Sequence, residues 1–336
     1  MKSKILYVVP DISNKNSGPS VRVTNIVESN VFDAIVSGGF LEKITSVMSL
    51  HKKSLVYVES STNRLNIADI ISLVFLKYIK RCDIRVYIRD CYTILFPEDY
   101  RSLRKKVTKL LLDITNRLYI SVATKLYFPT KDMAKEFLDY YNCNSPTSDL
   151  PPGIVVDEYD SFDFPISSQR INYILHVGGL GYKYSGVDNL IKFAMSLDSN
   201  VRLLLITRDK ALIYKHPDFS LVSEKVELLS HDRDGVKERI GRGNVIAAVH
   251  TRPLNKYDSM TFPIKILDYV SWKLPIISLR HKPLVSLLGN DYPLFYDELS
   301  KFQFKDLDNS RKKVCDIYQA VYLEKNYKKI FSKLVE

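Results

Sequence analysis

Short apolar runs alternate with segments of helical periodicity along most of the chain. In the first half, buried strands are predicted at residues 4–10, 34–37, 54–59, 84–88 and 124–129. Helices are predicted between and after them, at residues 21–29, 68–80, 102–121 and 130–141. Strands that alternate with helices in this way predict a mainly parallel sheet covered by helices on both faces.

A segment of different composition separates two such series. Residues 142–165 are rich in Pro, Asp and Ser, which is typical of a boundary between domains. After it, strands are predicted at residues 173–177, 202–206, 226–228, 245–249 and 276–278, with a helix at 187–197. The last stretch, 312–336, predicts helix with no strand after it. The pattern therefore predicts an α/β protein of two similar domains.

The segment at residues 261–278 predicts a helix followed by a buried strand. Pro263 suits the first helical position, because its missing N–H would be unpaired there in any case. The apolar residues fall on the core side of this helix, whereas Lys265, Asp268 and Tyr269 point elsewhere. A helix that starts after a strand aims its free N–H groups at the strand's carboxyl end, where anions bind. Lys265 and Asp268 would then hold a diphosphate and sugar hydroxyls; the alternative is an ordinary βα unit with both side chains solvated.

Composition narrows the classes of protein. The 336 residues are 46% hydrophobic and 26% charged, which is enough for ordinary folded cores. The formal net charge of +11 implies an anionic partner: a nucleotide, an anionic lipid surface or nucleic acid. Four scattered cysteines without a CxxC pair argue against a zinc or disulfide framework and favour a reducing cytoplasm. No apolar run is long enough to span a bilayer, and the N-terminal segment predicts a strand instead of a secretion signal.

Glycines and charged residues follow several predicted strands. The loops concerned contain Gly18, Arg89, Asp90, Gly178, Arg208, Arg252 and Thr261. Because ligand-binding loops of α/β folds collect at the carboxyl ends of parallel strands, we expect these loops to converge on a cleft between the domains. Two alternatives remain: Arg89 and Asp90 form a structural ion pair, and the loop at Gly18 is an ordinary βα turn.

The helix predicted at residues 102–121 has an unusual first half. Its sequence, RSLRKKVTKLLL from residue 101, is basic on one side and apolar on the other. This pattern is typical of a helix that lies on an anionic membrane surface. The alternative is a solvated basic face with the apolar side against the core.

Three segments together resemble the GT-B glycosyltransferases, and most closely glycosyltransferase family 4. LPPGIVVDEY at residues 150–159 is similar to the family's interdomain segment. ILHVGGLGYKYSGVDNLI at 174–191 is similar to its "VGR…KG…LI" segment, and PIKILDYVSWKLPIIS at 263–278 to its "P-x-K-x-x-E-Y" segment. The resemblance covers the C-terminal half well and the N-terminal half in outline.

The resemblance implies two Rossmann-like domains with a cleft between them. Residues 1–150 would bind the acceptor, residues 151–312 the nucleotide-sugar donor, and the helical segment 313–336 would pack back on the first domain. The implied reaction moves a sugar to a glycan or lipid-linked acceptor with retained configuration, without a metal or other cofactor. An anionic membrane surface is a further expected partner of this cytoplasmic protein.

The resemblance and the strand-end rule together give the site residues. Donor binding is assigned to Gly18, Gly178, Gly179, Lys183, Arg208, Arg252, Thr261, Lys265 and Asp268. The catalytic set is Asp90, Arg89 and Lys183. Asp268 is expected to accept hydrogen bonds from the ribose, the cations to balance the diphosphate, and Asp90 to orient the acceptor hydroxyl.

Departures from the family pattern leave other functions open. Gly179 and Ser185 stand where the family has Arg and Lys, and Met260 stands where it has its earlier Glu. A catalytically inactive GT-B subunit is therefore an alternative. A GT-B sugar-nucleotide epimerase is another, with His250 and Asp90 as its catalytic groups. Nucleic-acid binding would use the net charge, but no zinc-finger, RNP or helix-turn-helix signature accompanies it, so nucleic acid is not expected as a partner.

Overall fold

The computed structural model describes residues 3–9, 18–60, 65–153, 171–181, 184–230, 236, 239–240 and 244–335. By its internal contacts the chain divides into two compact units. The first unit consists of Met1–Gly153, Met260–Phe262 and Lys325–Glu336. The second unit consists of Ile154–Ser259 and Pro263–Glu324.

A six-stranded parallel sheet forms the centre of the first unit. Its strands are β1 (Lys4–Val8), β2 (Ala34–Val36), β3 (Leu55–Glu59), β4 (Asp83–Tyr87), β5 (Lys125–Phe128) and β6 (Thr147–Asp149). They lie in the order β2-β1-β3-β4-β5-β6, and every neighbouring pair is parallel. The register aligns Glu59 with Val8 and Tyr87, so the last residues of β1, β3 and β4 meet at one edge.

Helices of the first unit connect successive strands. They are α1 (Gly18–Glu28), α2 (Phe40–Ser49), α3 (Ile67–Val74), α4 (Tyr92–Leu95), α5 (Leu103–Val122) and α6 (Lys131–Tyr141), with a π-helical extension of α3 (Phe75–Ile79) and a 3₁₀ turn (Pro97–Tyr100). Side-chain caps fix two of their starts. Asn66 accepts a hydrogen bond from the Asp69 N–H at 2.8 Å, and Thr130 accepts one from the Met133 N–H at 3.2 Å.

The strand order determines which helices share a face of the first sheet. The connection from β1 leads to β2 at one edge of the sheet. The later connections, from β2 to β3 and onward to β6, all lead toward the other edge. Because such crossovers are right-handed, α1 lies on one face, and α2, α3 and α5 lie on the other. Contacts of α2 with α3 and of α3 with α5 agree with this arrangement.

A second six-stranded parallel sheet forms the centre of the second unit. Its strands are β7 (Asn172–Val177), β8 (Val201–Ile206), β9 (Val226–Leu229), β10 (Val245–His250), β11 (Ile276–Leu279) and β12 (Phe295–Tyr296). They lie in the order β12-β11-β10-β7-β8-β9, so β7 and β10 are the two central strands. Both are buried along their whole length, as the continuous apolar pattern of a sheet covered on two faces predicts.

The remaining helices complete both units. They are α7 (Val187–Ser196), α8 (Lys210–Tyr214), α9 (Lys256–Met260), α10 (Ile264–Ser271), α11 (Lys282–Leu288), α12 (Leu307–Lys325) and α13 (Tyr327–Val335), with short 3₁₀ turns at Phe219–Leu221, Ser223–Lys225, Leu299–Lys301 and Phe304–Asp306. The last helix, α13, belongs to the first unit and contacts α1. Its Phe331 ring meets the ring of Tyr57 edge-on, with centroids 5.2 Å apart.

The structure confirms the predicted α/β class with two parallel sheets and corrects several local predictions. The first helix begins at Gly18 and not at residue 21, because Pro19 is tolerated in a first turn. Pro263 occupies the cap position, so α10 begins one residue later than predicted. Strand β6 lies within residues 142–165, where the composition predicts only a domain boundary. Among the described residues, no helix is both long enough and apolar enough to cross a membrane.

Candidate functional site

A glycine turn follows β7 at the carboxyl edge of the second sheet. Gly178 has a φ of 130°, a conformation that favours glycine, although a Cβ there would meet no atom within 4 Å. The Asp209 carboxylate holds the turn by accepting hydrogen bonds from the N–H groups of Leu180 at 2.6 Å and Gly181 at 3.0 Å. A Cβ on Gly179 would lie 3.2 Å from the same carboxylate. The glycines therefore let the backbone pass close to Asp209.

A second close approach joins the start of α7 to the loop after β10. Gly186 has a φ of 79°, and a Cβ there would lie 2.0 Å from the carbonyl oxygen of Thr251. The Asn189 side chain donates to that same oxygen at 3.0 Å. Only glycine fits this contact, which brings Arg252, next in the chain, to the edge of the sheet.

A hydrogen bond joins helix α10 to the last residue of β7. The Tyr269 hydroxyl accepts a hydrogen bond from the Val177 N–H at 3.0 Å, and the Tyr269 ring is fully buried. The prediction that Tyr269 points away from the core is therefore wrong. One turn earlier, the Lys265 Nζ lies 3.4 Å from His176 Nε2. The helix thus holds Lys265 against the central strand.

Arg252 is fixed by an ion pair in the same region. Its Nη1 lies 3.1 Å from Oδ1 of Asp258, whose side chain is buried. The other oxygen of that carboxylate accepts a hydrogen bond from Asn255 Nδ2 at 2.7 Å. The His281 Nε2 lies 3.1 Å from the carbonyl oxygen of Arg252. Side chain and backbone of Arg252 are therefore both positioned.

The pKa values of Lys265, His176 and His250 indicate that the surroundings of these side chains disfavour further positive charge. Burial, and then the charge of Arg252, lower the pKa of Lys265 well below its usual value, while Asp258 opposes the shift. Burial, followed by the nearby Lys265, likewise lowers the pKa of His176 and His250 well below the usual range of histidine. An anion bound beside Lys265 and Arg252 would relieve their mutual repulsion.

Three buried side chains here have the atoms of a metal site. One ligand atom each from His250, Asp258 and His281 lies within 4.8 Å of the others, and imidazole nitrogen and carboxylate oxygen are common zinc ligands. However, Asp258 is already engaged by Arg252 and Asn255. A divalent ion would also add charge beside two cations. The cluster therefore suits an anion better than a metal.

The other residues predicted to bind the donor differ in exposure and in the unit to which they belong. Arg208 has an exposed side chain, and its Nε lies 4.0 Å from Oδ1 of Asp209. Asp268 is partly exposed on the second turn of α10. Thr261 is buried and belongs, by its contacts, to the first unit. Lys183 lies outside the described residues.

A buried charged cluster occupies the carboxyl edge of the first sheet. The Arg22 Nε on α1 lies 2.8 Å from Oε1 of Glu59, the last residue of β3, and both side chains are buried. The Tyr57 hydroxyl donates to Oε2 of the same carboxylate at 2.8 Å. The Arg22 guanidinium also stacks over the ring of Tyr87, 4.1 Å from its centroid. Glu59 is therefore the acceptor around which this edge is organised.

Arg89 reaches the same carboxylate. Its Nη2 lies 3.7 Å from Oε1 of Glu59, so two guanidinium groups face one carboxylate. Among the described residues, Arg22 Nη1 and both Nη atoms of Arg89 have no hydrogen-bond acceptor. Buried donors of this kind normally find a partner. Asp90 follows and is partly exposed. Gly18 is the first residue of α1, and residues 10–17 lie outside the described part of the chain.

The sequence prediction did not identify Glu59, Asp209 or His176 as parts of these sites. Glu59 ends β3 and Asp209 follows β8, so the strand-end rule that selected Arg89 and Arg208 applied to them too. His176 stands inside a strand, and only the packing of α10 brings Lys265 to it. No pattern in the sequence signalled that contact.

Comparison with known proteins identifies the fold. No protein-family model matches the sequence, and no curated protein matches it. HepE from Anabaena, in complex with UDP and glucose, superposes with a TM-score of 0.69 at 14% identity, over 99% of this chain and 98% of that chain. Sucrose-phosphate synthase from Thermosynechococcus elongatus gives 0.62 at 12% identity, over 98% and 97% of the chains. Trehalose 6-phosphate synthase from Burkholderia multivorans gives 0.62 at 10% identity, over 100% and 98%.

Identities this low carry information on the fold alone. Membership of family 4 stays a prediction. The two parallel six-stranded sheets and the similarity over nearly the whole chain show that this protein has the GT-B glycosyltransferase fold.

Proposed function

We propose that the protein transfers a sugar from a nucleotide-sugar donor to a glycan or lipid-linked acceptor. The observation that carries this proposal is the carboxyl edge of the second sheet. There Lys265 lies near Arg252 in a setting that disfavours the charge of Lys265, beside a glycine turn and a helix start. Such an arrangement suits the diphosphate of a nucleotide sugar.

Each part of this edge has a role in the proposed donor complex. In the glycine turn the Gly179 N–H faces the phosphates, because the neighbouring N–H groups already donate to Asp209 and Ile206. The N–H groups of the first turn of α10 face them too, with Lys265 and Arg252 supplying charge. Arg208 adds charge from the segment after β8, Lys183 is assigned the same role from the sequence, and Asp268 accepts hydrogen bonds from the ribose. Crystal structures of HepE contain UDP and UDP-glucose, so uridine diphosphate sugars are the first donors to test.

The proposed chemistry follows from where charge develops. As the glycosidic bond breaks, negative charge accumulates on the departing diphosphate, and fixed cations and N–H dipoles stabilise it. Lys265 is suited to this step, because a group with a lowered pKa takes up a proton as the nearby negative charge grows. We propose that transfer retains the anomeric configuration and needs no metal, as in the family that the sequence resembles.

The acceptor side of the proposal rests on the first unit. Arg89 and Arg22 carry guanidinium nitrogens without an acceptor among the described residues, and an oxygen-rich or anionic acceptor would supply one. Asp90, directly after Arg89, is proposed to orient the acceptor hydroxyl.

Donor binding is tested by calorimetric titration with UDP, GDP, ADP and dTDP. We expect selective binding of one diphosphate, weakened at least about tenfold in Lys265→Ala because a charged contact to phosphate is lost. Lys192→Ala, an exposed lysine of α7, is the matched control and should bind as the wild type does. Absence of binding to every diphosphate would overturn the donor site.

Transfer itself is tested by product formation. With a labelled sugar nucleotide of the diphosphate that binds, and a mixed glycan and lipid acceptor extract, we expect labelled product that persists in a chelator and that Lys265→Ala reduces. Loss of product in chelator, restored by a divalent ion, would instead assign a metal role to His250, Asp258 and His281.

An inactive GT-B subunit is the second candidate. It is favoured by Gly179, which stands where the family has its arginine and packs against Asp209. Nucleotide binding without product under all acceptor conditions would support this candidate over the transferase.

A further inference from the structure

Three adjacent helices of the first unit present large apolar side chains to solvent. On α2, Leu41 is 75% exposed, and on α3, Ile67 is 70% exposed. On α5, Leu103 is 80% exposed and Val107 is 51% exposed. Most of the large exposed apolar side chains among the described residues lie on these three helices. We refer to this outer side of α2, α3 and α5 as the apolar face.

The exposed residues of α5 form a continuous stripe. Leu103, Val107, Leu110 and Ile114 recur at the spacing of one helix side, and each is at least half exposed. The buried residues of α5 lie only in its later turns, from Thr115 onward. The alternative in which the apolar side of this segment packs on the core is therefore wrong for the first half of the helix.

Basic residues surround the stripe. Arg101, Arg104, Lys105 and Lys106 are exposed, Lys109 is partly exposed, and residues 101–112 contain no Asp or Glu. Lys52 and Lys53, which join α2 to the amino end of β3, are exposed at the opposite edge of the sheet from the start of α5. An apolar stripe within a basic rim is the composition of helices that lie in the interface of an anionic membrane.

Other occupants fit less well. Protein interfaces are depleted in lysine, whereas here Lys105, Lys106 and Lys109 stand among the exposed apolar side chains of one helix. A second copy of this chain would bring the same basic rim against itself, since a symmetric dimer pairs identical surfaces. A bilayer accepts both parts, with apolar side chains below the headgroups and lysines among the phosphates.

We propose that the apolar face docks the protein on an anionic lipid bilayer as a peripheral membrane protein. Apolar side chains of α2, α3 and α5 enter the headgroup region, and the basic rim pairs with anionic lipids. The proposal rests on the first unit alone and does not depend on the donor site. Should transfer to a lipid-linked acceptor also hold, docking would keep the enzyme where that acceptor resides.

Vesicle co-sedimentation at low salt tests the proposal. Vesicles of phosphatidylcholine with about one third phosphatidylglycerol are compared with pure phosphatidylcholine, since anionic lipid supplies the electrostatic part. We expect wild-type protein to bind the anionic vesicles, to release as salt rises, and to bind the neutral vesicles weakly.

Two sets of variants separate the apolar and basic contributions. Leu103→Ser with Val107→Ser and Leu110→Ser should weaken binding at least about tenfold, because buried apolar area supplies much of the affinity. Lys105→Ala with Lys106→Ala should weaken binding to anionic vesicles by roughly 30-fold, because each basic residue contributes about fivefold there.

Matched controls lie on the second unit. Leu221→Ser removes a side chain that is 70% exposed, and Lys192→Ala removes an exposed charge; neither should change binding. All altered residues are exposed, and thermal unfolding confirms that each variant is folded. The proposal is overturned if wild-type protein does not bind anionic vesicles, or if the Leu103, Val107 and Leu110 variant binds as well as wild type. It is also overturned if these substitutions instead dissociate a dimer in sedimentation velocity runs without lipid.

Discussion

At the scale of single residues, Lys265 has an ammonium group that its surroundings disfavour. Burial and Arg252 lower its pKa, so between that lowered pKa and about 10.5 the free protein holds fewer protons there than an exposed lysine would. A bound diphosphate would raise the pKa again. We therefore expect UDP binding to take up protons and to weaken as pH rises through this window.

Calorimetry in buffers of different ionisation enthalpy measures that uptake. In Lys265→Met, UDP binding should no longer be accompanied by the proton uptake that we assign to Lys265. Lys192→Met should take up protons as the wild type does. If Lys265→Met retains the full uptake and the same pH dependence, the proton does not go to Lys265.

His176 and His250 make stability depend on pH. Their pKa values are lowered by burial and by Lys265, so both are neutral in the folded protein near pH 6, where the unfolded chain binds protons. The stability they contribute is present above about pH 6.5 and is lost as pH falls below it, by up to about 1.4 kcal/mol per pH unit for each.

Urea unfolding between pH 7.5 and pH 5 checks this prediction. His250→Phe removes one buried imidazole and should flatten the pH dependence, while His51→Asn, at an exposed position, should leave it unchanged. A slope that is equal in the wild type and in His250→Phe would show that other groups control the acid sensitivity.

At the scale of elements, alanine substitutions at two glycines distinguish the stability cost of backbone strain from the cost of a steric clash. Gly178 and Gly186 both have positive φ, but only Gly186 lies against backbone, 2.0 Å from Thr251 O for an added Cβ. Gly178→Ala should cost about 1 kcal/mol of unfolding free energy, from strain. Gly186→Ala should cost more, about 3 kcal/mol or above, because α7 must move from the loop after β10.

Chemical denaturation of the two alanine variants makes the comparison. Equal losses, or a larger loss in Gly178→Ala, would mean that α7 and the β10 loop do not approach each other as closely as described. A larger loss of UDP affinity in Gly186→Ala would in addition connect this contact to Arg252.

At the scale of the whole molecule, each unit has its own sheet and core. A ligand that binds one unit should therefore protect amides of that unit from hydrogen exchange. In hydrogen exchange, UDP should slow the amides of Gly179, Ile264 and Lys265, because bound N–H groups exchange less. Saturation at about a hundred times the dissociation constant should add about 2.7 kcal/mol of stability. The apolar face should be unaffected by UDP and protected by anionic vesicles.

The reverse pattern would contradict the assignment of sites to units. Protection by UDP confined to the first unit would place the nucleotide there. Protection by vesicles at α7 or α8 would remove the apolar face as the docking surface.

Most elements were predictable because their patterns are local. The apolar runs that became β3, β4, β7 and β10 have lengths and flanking turns that predict strands directly. Boundaries were less certain, as α1 and α10 show, because Pro19 and Pro263 permit more than one start. Tyr269 was misplaced since the polar tip of tyrosine suggests solvent, yet its hydroxyl found the Val177 N–H inside the core.

The features of the candidate site also fall into those that local sequence predicts and those that depend on tertiary contacts. Local patterns in the chain were enough to predict the alternation of strands and helices. They also placed Gly178, Arg89, Arg252 and Lys265 after strands or at a helix start, because these positions depend on neighbours in the chain. The folded chain was needed to show that Lys265 meets His176, that Glu59 pairs with two arginines and that the stripe on α5 is exposed. Those contacts join positions far apart in the chain, and the order of the strands, which local patterning does not fix, determines which of them meet.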